Sequence, residues 1–467
     1  MKGNITALVI LFMTIFVSTS CLNDDDNNYV YYDDTVITSF SVSTAKHHLH
    51  LVSSTGGDSV VTTTMSLSSY KFYIDHASRV IYNPDSLPYG VDARKLICVI
   101  NTLNNGDVYI KSTTSDSVMY VSSNDSLDFS VPRELQVASQ SYNALRKYTV
   151  KVNVHQEDGS RFLWHSLPAS DALKGMSALR MMCVGGKVMA LGSDGNATYI
   201  FVNDNGVWRI ATPDFNHTLA ADACRGAVVK DGMLYVCDGD NVICSADGSA
   251  WHTAGTATGV RRLVAASRFR LFGYDAEGHM MASADNGETW AACDIDDDTS
   301  LLPDGETAYA ITPLVTNLLA DRVTLVGSYG EAHDKGLCVW GKIDEGGEYS
   351  QDQPWAYYNV TSDNKHAIPS LSGIGLESYD RTLMLFGTDG DNGRAFYRSS
   401  DGGITWREDT TLVMPDNFCA DEAKPLKTAY TVDDDNFIWL VNVSEGKTWK
   451  GRLNRLGWKE EQKEFTE

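Results

Sequence analysis

The sequence predicts an all-β protein in which a β-sandwich is followed by a β-propeller. Strand-like runs separated by turn residues fill the N-terminal part of the chain, without a convincing helical period. Further along, a short motif of Ser, Asp, Gly and Trp recurs at Ser245–Trp251, Ser283–Trp290 and Ser399–Trp406. Recurrence at this spacing is typical of propellers, in which each repeat forms one sheet of a ring.

The residue types of this motif suit a hairpin turn. The Asp carboxylate accepts hydrogen bonds from turn amides, Gly supplies a positive φ, and Trp packs beside the turn. The residues expected in these roles are Ser245, Asp247, Trp251, Ser283, Asp285, Gly287, Trp290, Ser399, Asp401, Gly403 and Trp406. We therefore interpret the motif as a structural device that carries no chemistry of its own.

A longer unit surrounds the motif and can be followed six times within residues 161–460. In the fifth unit the run Thr382–Phe386 precedes a turn, then Ala395–Arg398, then the motif that ends at Trp406. The corresponding runs are Lys187–Leu191, Met233–Cys237, Arg270–Tyr274, Val323–Val326 and Phe437–Val441. Six units predict six blades, and seven is the alternative because some motifs are degraded. Arg161–Leu167 resembles the strand that follows each motif, so we expect it to close the ring.

Residues 35–156 are predicted to form an immunoglobulin-like sandwich. Tyr148–Val154 and Tyr70–Ile74 alternate apolar and polar side chains, as strands with one buried and one solvated face do. Leu96–Ile100 is a continuous apolar run, which predicts a central strand covered on both faces. By analogy of fold, we expect this module to act as a spacer.

The first residues predict export. An apolar stretch from Ile5 to Val17 follows Met1-Lys2 and is too short to span a bilayer comfortably. Cys21 ends residues 1–21 as in a bacterial lipobox, which implies lipidation of this cysteine; an ordinary cleaved signal is the alternative. Residues 22–34 form an acidic tether that resembles the surface-export tag of some lipoproteins. We expect an outer-membrane lipoprotein that faces the cell exterior.

Composition narrows the possible partners. The chain of 467 residues has a formal net charge of -23, which disfavours nucleic acid and other polyanions. No CxxC pair is present, and most cysteines read as small core residues. Cys237 and Cys244 flank a predicted turn, so a disulfide between them is an open alternative. The acidic clusters 294–298 and 433–435 lack the EF-hand pattern, and we expect solvated loops with no metal or cofactor.

The motif resembles the Asp-box of sialidases, xyloglucan-cleaving glycoside hydrolases, sortilin-like receptors and photosystem assembly factors. The resemblance covers roughly Phe162 to Trp458 and implies a fold rather than an activity. A sialidase needs an early Arg-Ile-Pro strand, and this sequence has none. Arg261 and Arg262 are neighbours, so in a strand they point to opposite faces and cannot both hold one anion.

No catalytic residue stands out. The chain has no nucleophile elbow, phosphate-binding loop or zinc-protease helix, and its many acidic residues define no obvious carboxylate pair. Binding is therefore the leading prediction, with exposed aromatic residues stacking on sugar rings or peptide side chains. The candidates are Trp340, Tyr357 and Tyr358, and packing between blades is the alternative role for each.

The whole arrangement resembles a family of uncharacterised exported lipoproteins of gut-type anaerobes, for which no activity is established. The sequence predicts a binding or scaffold protein, for glycans or an outer-membrane partner, that is held at the membrane by its N-terminal lipid. The alternative is a glycoside hydrolase or lyase with its site on the axial face of the propeller. Convergent carboxylates in a deep, aromatic-lined cleft would favour the enzyme, and a shallow, neutral face would favour binding.

Overall fold

The structure is a computed structural model that describes residues 30–52, 58–329, 336–347, 350–358, 364–389, 393–418 and 427–458. The chain divides into two compact units, one of residues 1–156 with 460–467 and one of Glu157–Lys459. The predicted signal segment with Cys21, and residues 22–29 of the tether, lie outside the described residues.

The described residues are all-β, as predicted. Their one α-helix is the single turn α1 (Asp171–Lys174). Short 3-10 segments lie at Leu103–Asn105, Ala223–Gly226, Thr299–Leu301 and Asn454–Gly457. No helix in the described part of the chain has the length and apolar character needed to cross a membrane.

The first unit contains two sheets. Its strands are β1 (Ile37–Val52), β2 (Asp58–Ser66), β3 (Tyr73–Asp75), β4 (Val80–Tyr82), β5 (Val91–Thr102), β6 (Asp107–Lys111), β7 (Val118–Tyr120), β8 (Ser126–Leu127), β9 (Arg133–Ala138) and β10 (Leu145–Lys151). One sheet has the order β2-β1-β5-β8, and the other β3-β4-β10-β9-β6-β7, in which β4 and β10 are parallel. Val42 and Leu96 from the first sheet share a buried core with Leu135 and Val150 from the second. The two sheets therefore enclose one hydrophobic core.

Two sequence predictions for this unit need correction. Leu96–Ile100 lies in β5, but its two faces differ, because Leu96 is fully buried while Val99 is 40% exposed. The prediction of a strand covered on both faces is wrong, since β5 turns only one face towards the shared core. The strand predicted at Tyr70–Ile74 begins only at Tyr73, although Tyr70 packs against the core.

The second unit contains six sheets among its described residues. Its strands are β11 (Phe162–Leu167), β12 (Ala178–Val184), β13 (Lys187–Ser193), β14 (Ala197–Asp204), β15 (Val207–Ile210), β16 (Leu219–Ala220), β17 (Val228–Lys230), β18 (Met233–Asp238), β19 (Asn241–Ser245), β20 (His252–Thr256), β21 (Arg262–Ala266), β22 (Leu271–Tyr274), β23 (Met280–Ser283), β24 (Ala291–Ala292), β25 (Thr307–Leu314), β26 (Asn317–Ser328), β27 (Leu337–Glu345), β28 (Ala356–Tyr357), β29 (Ser372–Tyr379), β30 (Thr382–Asp389), β31 (Gly393–Ser399), β32 (Arg407–Glu408), β33 (Thr428–Val432), β34 (Ile438–Asn442) and β35 (Lys447–Leu453).

Each of these sheets is an antiparallel meander, and the first strands of the sheets meet in a ring. The sheets begin with β12, β17, β21, β25, β29 and β33. Each of these first strands contacts the first strand of the next sheet, and β33 contacts β12. The six first strands therefore form a closed ring in chain order.

The last sheet takes its fourth strand from the start of the unit. β11 pairs antiparallel with β35, with Phe162 opposite Leu453 and Leu167 opposite Thr448. This is the pairing expected for Arg161–Leu167. It covers an edge of β35 that would otherwise present unpaired backbone groups, and it joins the two ends of the unit.

The second strands of several sheets are buried along nearly their whole length. All five residues of β34 are buried, as are all residues of β13 after Lys187. Strands that are covered on both faces have continuous apolar runs in the sequence, and these runs predicted their positions. Neighbouring sheets pack face to face, so that Leu191 of one sheet and Leu234 of the next belong to the same core.

Candidate functional site

The ring of first strands surrounds a cavity of about 750 Å³, which we call the axial cavity. Residues of β12, β17, β25, β29 and β33, with the segments just before and after them, line it. Its volume lies within the range of small-molecule binding sites. The cavity is therefore the candidate functional site of the second unit.

Arg180 extends across the middle of this ring. It lies on β12, and its Nη1 donates hydrogen bonds to the carbonyl oxygens of Arg225 at 2.9 Å and Thr307 at 3.2 Å. Because β12 and β25 are three places apart in a ring of six strands, the bond to Thr307 joins opposite sides. The guanidinium carbon also lies 5.9 Å from the ring centroid of Tyr309. A cation is thus held at the centre of the cavity by backbone carbonyls and an aromatic ring.

Tyr309 makes a second connection between first strands that are not neighbours. Its hydroxyl accepts a hydrogen bond from the amide of Val229 at 2.8 Å and donates one to the carbonyl of Val229 at 3.2 Å. Tyr309 lies on β25 and Val229 on β17, and β21 comes between these strands in the ring. Burial raises the pKa of Tyr309 to about 12, so the hydroxyl stays protonated and able to donate.

Four carboxyl groups line the cavity, those of Glu306, Glu377, Asp433 and Asp434. The two glutamates are each bonded to the next first strand. Glu306, just before β25, accepts a hydrogen bond from the amide of Gly373 at 3.0 Å. Glu377, on β29, accepts one from the hydroxyl of Thr431 at 2.7 Å. Burial raises the pKa of Glu306, and it raises the pKa of Glu377 to about 7. A carboxyl group with a raised pKa in a cavity is typical of a functional site, although structural networks produce it too.

Gly375 allows an aromatic side chain to form part of the cavity wall. A Cβ atom at this position would lie 2.4 Å from Cδ1 of Tyr430, so only glycine leaves room for the ring. Tyr430 is buried, and its hydroxyl donates a hydrogen bond to the carbonyl of Met384. This wall is fixed by packing.

Arginine side chains cluster at the N-terminal ends of the first strands. Arg225 lies just before β17, and Arg262 begins β21, where its Nη1 donates to the carbonyl of Gly305 at 3.0 Å. Burial lowers the pKa of Arg262, and the nearby charges of Arg180, Arg261 and Arg225 lower that pKa further. Arg180, Arg225 and Arg262 therefore lie close enough for their like charges to interact.

The predicted turn motifs lie elsewhere, between the third and fourth strands of their sheets. After β23, Asp285 accepts hydrogen bonds from the hydroxyl of Ser283 at 2.7 Å and from the amide of Thr289 at 2.9 Å. The amide of Gly287, whose φ is 101°, donates to the Ser283 hydroxyl at 2.7 Å. Hydrogen bonds from the hydroxyl and amide of Thr289 are the main reason that the pKa of Asp285 falls to about 2. The Trp290 indole donates to the Thr256 carbonyl at 2.9 Å, which links the turn to the preceding sheet.

The other two motifs have related geometry. Asp401 accepts hydrogen bonds from the hydroxyl of Ser399 and from the amides of residues 404 and 405, while the amide of Gly403 donates to Ser399. Asp247 accepts bonds from the hydroxyl of Ser245 and the amides of residues 249 and 250. The indoles of Trp251 and Trp406 each donate to a carbonyl of their own turn at 2.9 Å. None of these motif residues lines the axial cavity.

The predicted aromatic candidates also lie away from the cavity. Trp340 lies on β27 with 0% exposure, and its indole donates to the carbonyl of Leu301 at 3.1 Å. Tyr357 packs on Trp340 with ring centroids 5.2 Å apart, and Tyr358 packs directly over Gly341. These side chains fill the outer part of one sheet, so Trp340 offers no surface to a ligand.

The open alternative of a disulfide between Cys237 and Cys244 is wrong, because both thiols are free. The strand register explains why: Cys237 lies opposite Val242, and Cys244 lies opposite Tyr235. The two cysteines are therefore not cross-strand partners, which a disulfide between these strands would need.

Sequence reasoning missed Arg180, Glu306 and Glu377. It found the second strand of each unit by its apolar run, and of the first strands it considered only Arg262, at the start of β21. A signal was present, because Arg180 and Glu377 are single charged residues inside otherwise apolar strands. Their convergence depends on strands that are far apart in the sequence, and no local pattern shows it.

Comparison with known families identifies the chain. A family model described as the DUF6242 beta propeller domain matches residues 158–461, and the DUF6242 N-terminal domain of unknown function matches residues 40–152. The chain therefore belongs to the DUF6242 family, and its second unit is a β-propeller, as predicted. No significant match is found among curated proteins.

Solved structures with distant similarity come from several kinds of protein. A DUF4623 family protein from Bacteroides eggerthii is 10% identical, with a TM-score of 0.32 and coverage of 90% of this chain and 98% of that chain. A DUF4784 family protein from Bacteroides caccae is 10% identical, with a TM-score of 0.32 and coverage of 67% and 92%. A Trichoderma reesei protein of Carbohydrate-Active Enzymes Family AA12 is 14% identical, with a TM-score of 0.36 and coverage of 64% and 96%.

Proposed function

We propose that this DUF6242 protein is a ligand-binding protein and that the axial cavity of its propeller is the binding site. The observation that carries the proposal is a cavity of about 750 Å³ with Arg180, Glu306 and Glu377 in its wall. A cavity of this size accommodates a small saccharide or organic acid. Sequence reasoning associated binding with a shallow, neutral face, whereas this cavity is enclosed by strands and carries charge.

Binding is favoured over catalysis because the two glutamates and two of the tyrosine hydroxyls in the cavity already have partners. Glu306 and Glu377 accept hydrogen bonds from the neighbouring first strands, and the hydroxyls of Tyr309 and Tyr430 are bonded to backbone groups. Groups held in this way form a preorganised wall, since their orientation is set before a ligand arrives. A general acid or nucleophile would need a carboxyl group directed at the ligand.

We also propose finer features of the architecture. The six sheets would be six blades, which the ring of first strands and the β11–β35 pairing support. The turns around Asp247, Asp285 and Asp401 would be Asp-boxes, supported by their shared hydrogen bonds from a Ser hydroxyl and from turn amides. The first unit would be an immunoglobulin-like sandwich, supported by its two sheets around one core.

We also propose that the protein is located at the outer membrane and faces the cell exterior. The sequence of residues 1–21, with Cys21 at its end, supports a lipid anchor. The test is detergent phase partitioning of the chain expressed in a Gram-negative host, beside the variant Cys21→Ala. We expect the unchanged chain in the detergent phase and Cys21→Ala in the aqueous phase. Partition of both into the aqueous phase would contradict lipidation.

The binding proposal is tested with a panel of saccharides and organic acids, scored for retention and for release of reducing ends. Ser378 lines the cavity and is exposed within it, so Ser378→Trp should weaken retention at least tenfold. Ser166, exposed on β11 and outside the cavity lining, provides the matched control Ser166→Trp, which should retain ligand. Equal retention by both variants would place binding elsewhere and contradict the proposal.

A glycoside hydrolase or lyase is the second candidate, because two carboxyl groups with raised pKa values line one cavity. In that case Glu377→Gln would abolish reducing-end release while leaving retention intact. If the unchanged protein releases reducing ends and Glu377→Gln does not, the enzyme is favoured. Retention without release in both proteins would favour binding.

A further inference from the structure

We propose that the axial cavity selects a small ligand that carries an oxyanion group, a carboxylate or a sulfate, and that Arg180 and Arg225 of its lining, with Arg262 beside it, hold this group. The inference rests on the proposed binding function and names its ligand class. It is carried by three guanidinium groups that lie together without anionic partners.

The absence of ion pairs is the first observation. Arg268, Arg270 and Arg398 each pair with an aspartate outside the cavity lining, as in the 2.6 Å contact between Arg270 and Asp344. In the described part of the chain, no carboxylate forms an ion pair with Arg180, Arg225 or Arg262. A chain with a net charge of -23 has many carboxylates, so three neighbouring unpaired arginines are an unusual local concentration of positive charge.

Unused hydrogen-bond donors are the second observation. A guanidinium group has five N–H donors, and it binds carboxylate or sulfate oxygens in a planar fork. The side-chain bonds of Arg180 and Arg262 use only Nη1, and they end on carbonyl oxygens. Within the described residues, the other donors of these two groups, and all side-chain donors of Arg225, have no protein acceptor. These donors are available to an oxyanion in the cavity.

The acidic residues of the cavity do not cancel this charge. Glu306 is near enough to stabilise the charged forms of Arg180 and Arg225, and Glu377 that of Arg180. Their carboxyl groups are bonded to the amide of Gly373 and to the hydroxyl of Thr431. Burial raises the pKa of Glu306, and it raises the pKa of Glu377 to about 7, so the negative charge of Glu377 is reduced near neutral pH. Asp433 and Asp434 also line the cavity, but they follow the C-terminal end of β33, whereas the arginines lie towards the N-terminal ends of their strands. The arginine end of the cavity therefore keeps positive charge.

The ligand is expected to be small. The overall charge of -23 opposes a polyanion, since long-range repulsion acts on the whole approaching chain. A single oxyanion group that enters the cavity interacts mainly with the local arginines, because their field is strongest in a partly desolvated site. A monosaccharide or disaccharide acid satisfies both conditions.

The test is calorimetric titration of the full chain with D-glucuronate, D-glucose and inorganic sulfate as probes. We expect glucuronate to bind, glucose to bind at least tenfold more weakly, and sulfate to compete with glucuronate. Arg225→Gln and Arg262→Gln should each weaken glucuronate binding about tenfold or more, because each removes charge-assisted hydrogen bonds. Arg225→Gln should disturb folding less than Arg262→Gln, since the Arg225 side chain is exposed and bonds to no described residue.

Arg407→Gln is the matched control. Arg407 is exposed on β32, the last strand of its sheet, and lies outside the cavity lining, so its replacement should change glucuronate binding less than twofold. Equal affinity for glucuronate in the unchanged chain, Arg225→Gln and Arg262→Gln would overturn the inference. A different result would overturn the oxyanion inference and still support the binding function. In that result glucose binds the unchanged chain and both arginine variants but does not bind Ser378→Trp. If no probe binds and the saccharide panel is not retained, both proposals fail.

Discussion

Arg180 donates a hydrogen bond to the carbonyl of Thr307, 3.2 Å away on the opposite side of the ring. The two residues are 127 positions apart in the chain, so the bond connects distant parts of the propeller. The same guanidinium supplies positive charge to the axial cavity. Arg180 is thus both a structural link between first strands and part of the candidate site.

Arg180→Met should destabilise the propeller, because the carbonyl groups of Arg225 and Thr307 would lose their donor. Hydrogen bonds to a charged group contribute on the order of 1–3 kcal/mol, and we expect a loss of this size in the free energy of unfolding. Chemical denaturation measures it. Arg261→Met is the control, and an equal loss in both variants would show that the bonds across the ring do not contribute.

Asp285→Ala should lower the free energy of unfolding by about 1–2 kcal/mol, because the turn after β23 loses an acceptor of several hydrogen bonds. Asp296→Ala is the control, since Asp296 is exposed and its carboxylate accepts no bond from the described residues. Equal stability of the two variants would contradict a structural role for Asp285.

The stability contributed by Asp285 should depend on pH in the acid range. Its pKa is about 2 in the folded protein, against 3.8 in an unfolded chain, so the folded state favours the charged form. This stabilisation is present above pH 3.8 and is lost as the pH falls towards 2. The difference in unfolding free energy between the unchanged chain and Asp285→Ala should therefore shrink from pH 6 to pH 3. A constant difference would contradict the account.

Glu377 should have the opposite pH dependence. Its folded pKa of about 7 exceeds the ordinary value of 4.5, so the stability linked to its proton is complete below pH 4.5 and is lost as the pH rises through 7. We expect Glu377→Gln to be more stable than the unchanged chain at pH 8, by about 1–3 kcal/mol, and nearly equal to it at pH 5. Denaturation at both pH values measures this, with the exposed Glu408→Gln as control. A difference that does not change with pH would contradict the raised pKa.

Sequence patterns predicted the parts of the fold that are determined by residues close together in the chain. The runs that became the second strands are mostly apolar, and the Ser, Asp, Gly and Trp residues of each turn lie within eight positions of one another. The cavity was not predictable in this way. Arg180, Glu306 and Glu377 meet only because the first strands form a ring, and the register that separates Cys237 from Cys244 depends on the length of the hairpin.

Gly375→Ala should disturb the cavity wall. The added Cβ would lie 2.4 Å from the Tyr430 ring, so the ring or β29 must move, which costs about 1–3 kcal/mol. Gly175→Ala is a suitable control, because its φ of -76° suits alanine and the nearest atom to the added Cβ is 3.8 Å away. Thermal unfolding should show a lower Tm for Gly375→Ala only. An unchanged Tm would show that the wall is not tightly packed.

The central claim is that the axial cavity binds an acidic ligand through its arginines. A crystal structure of the full chain with D-glucuronate tests this claim most directly. We expect the carboxylate inside the ring of first strands, within hydrogen-bond distance of the guanidinium groups of Arg225 and Arg262. Glucuronate bound at the outer strands, with these two guanidinium groups in contact with water alone, would contradict the claim.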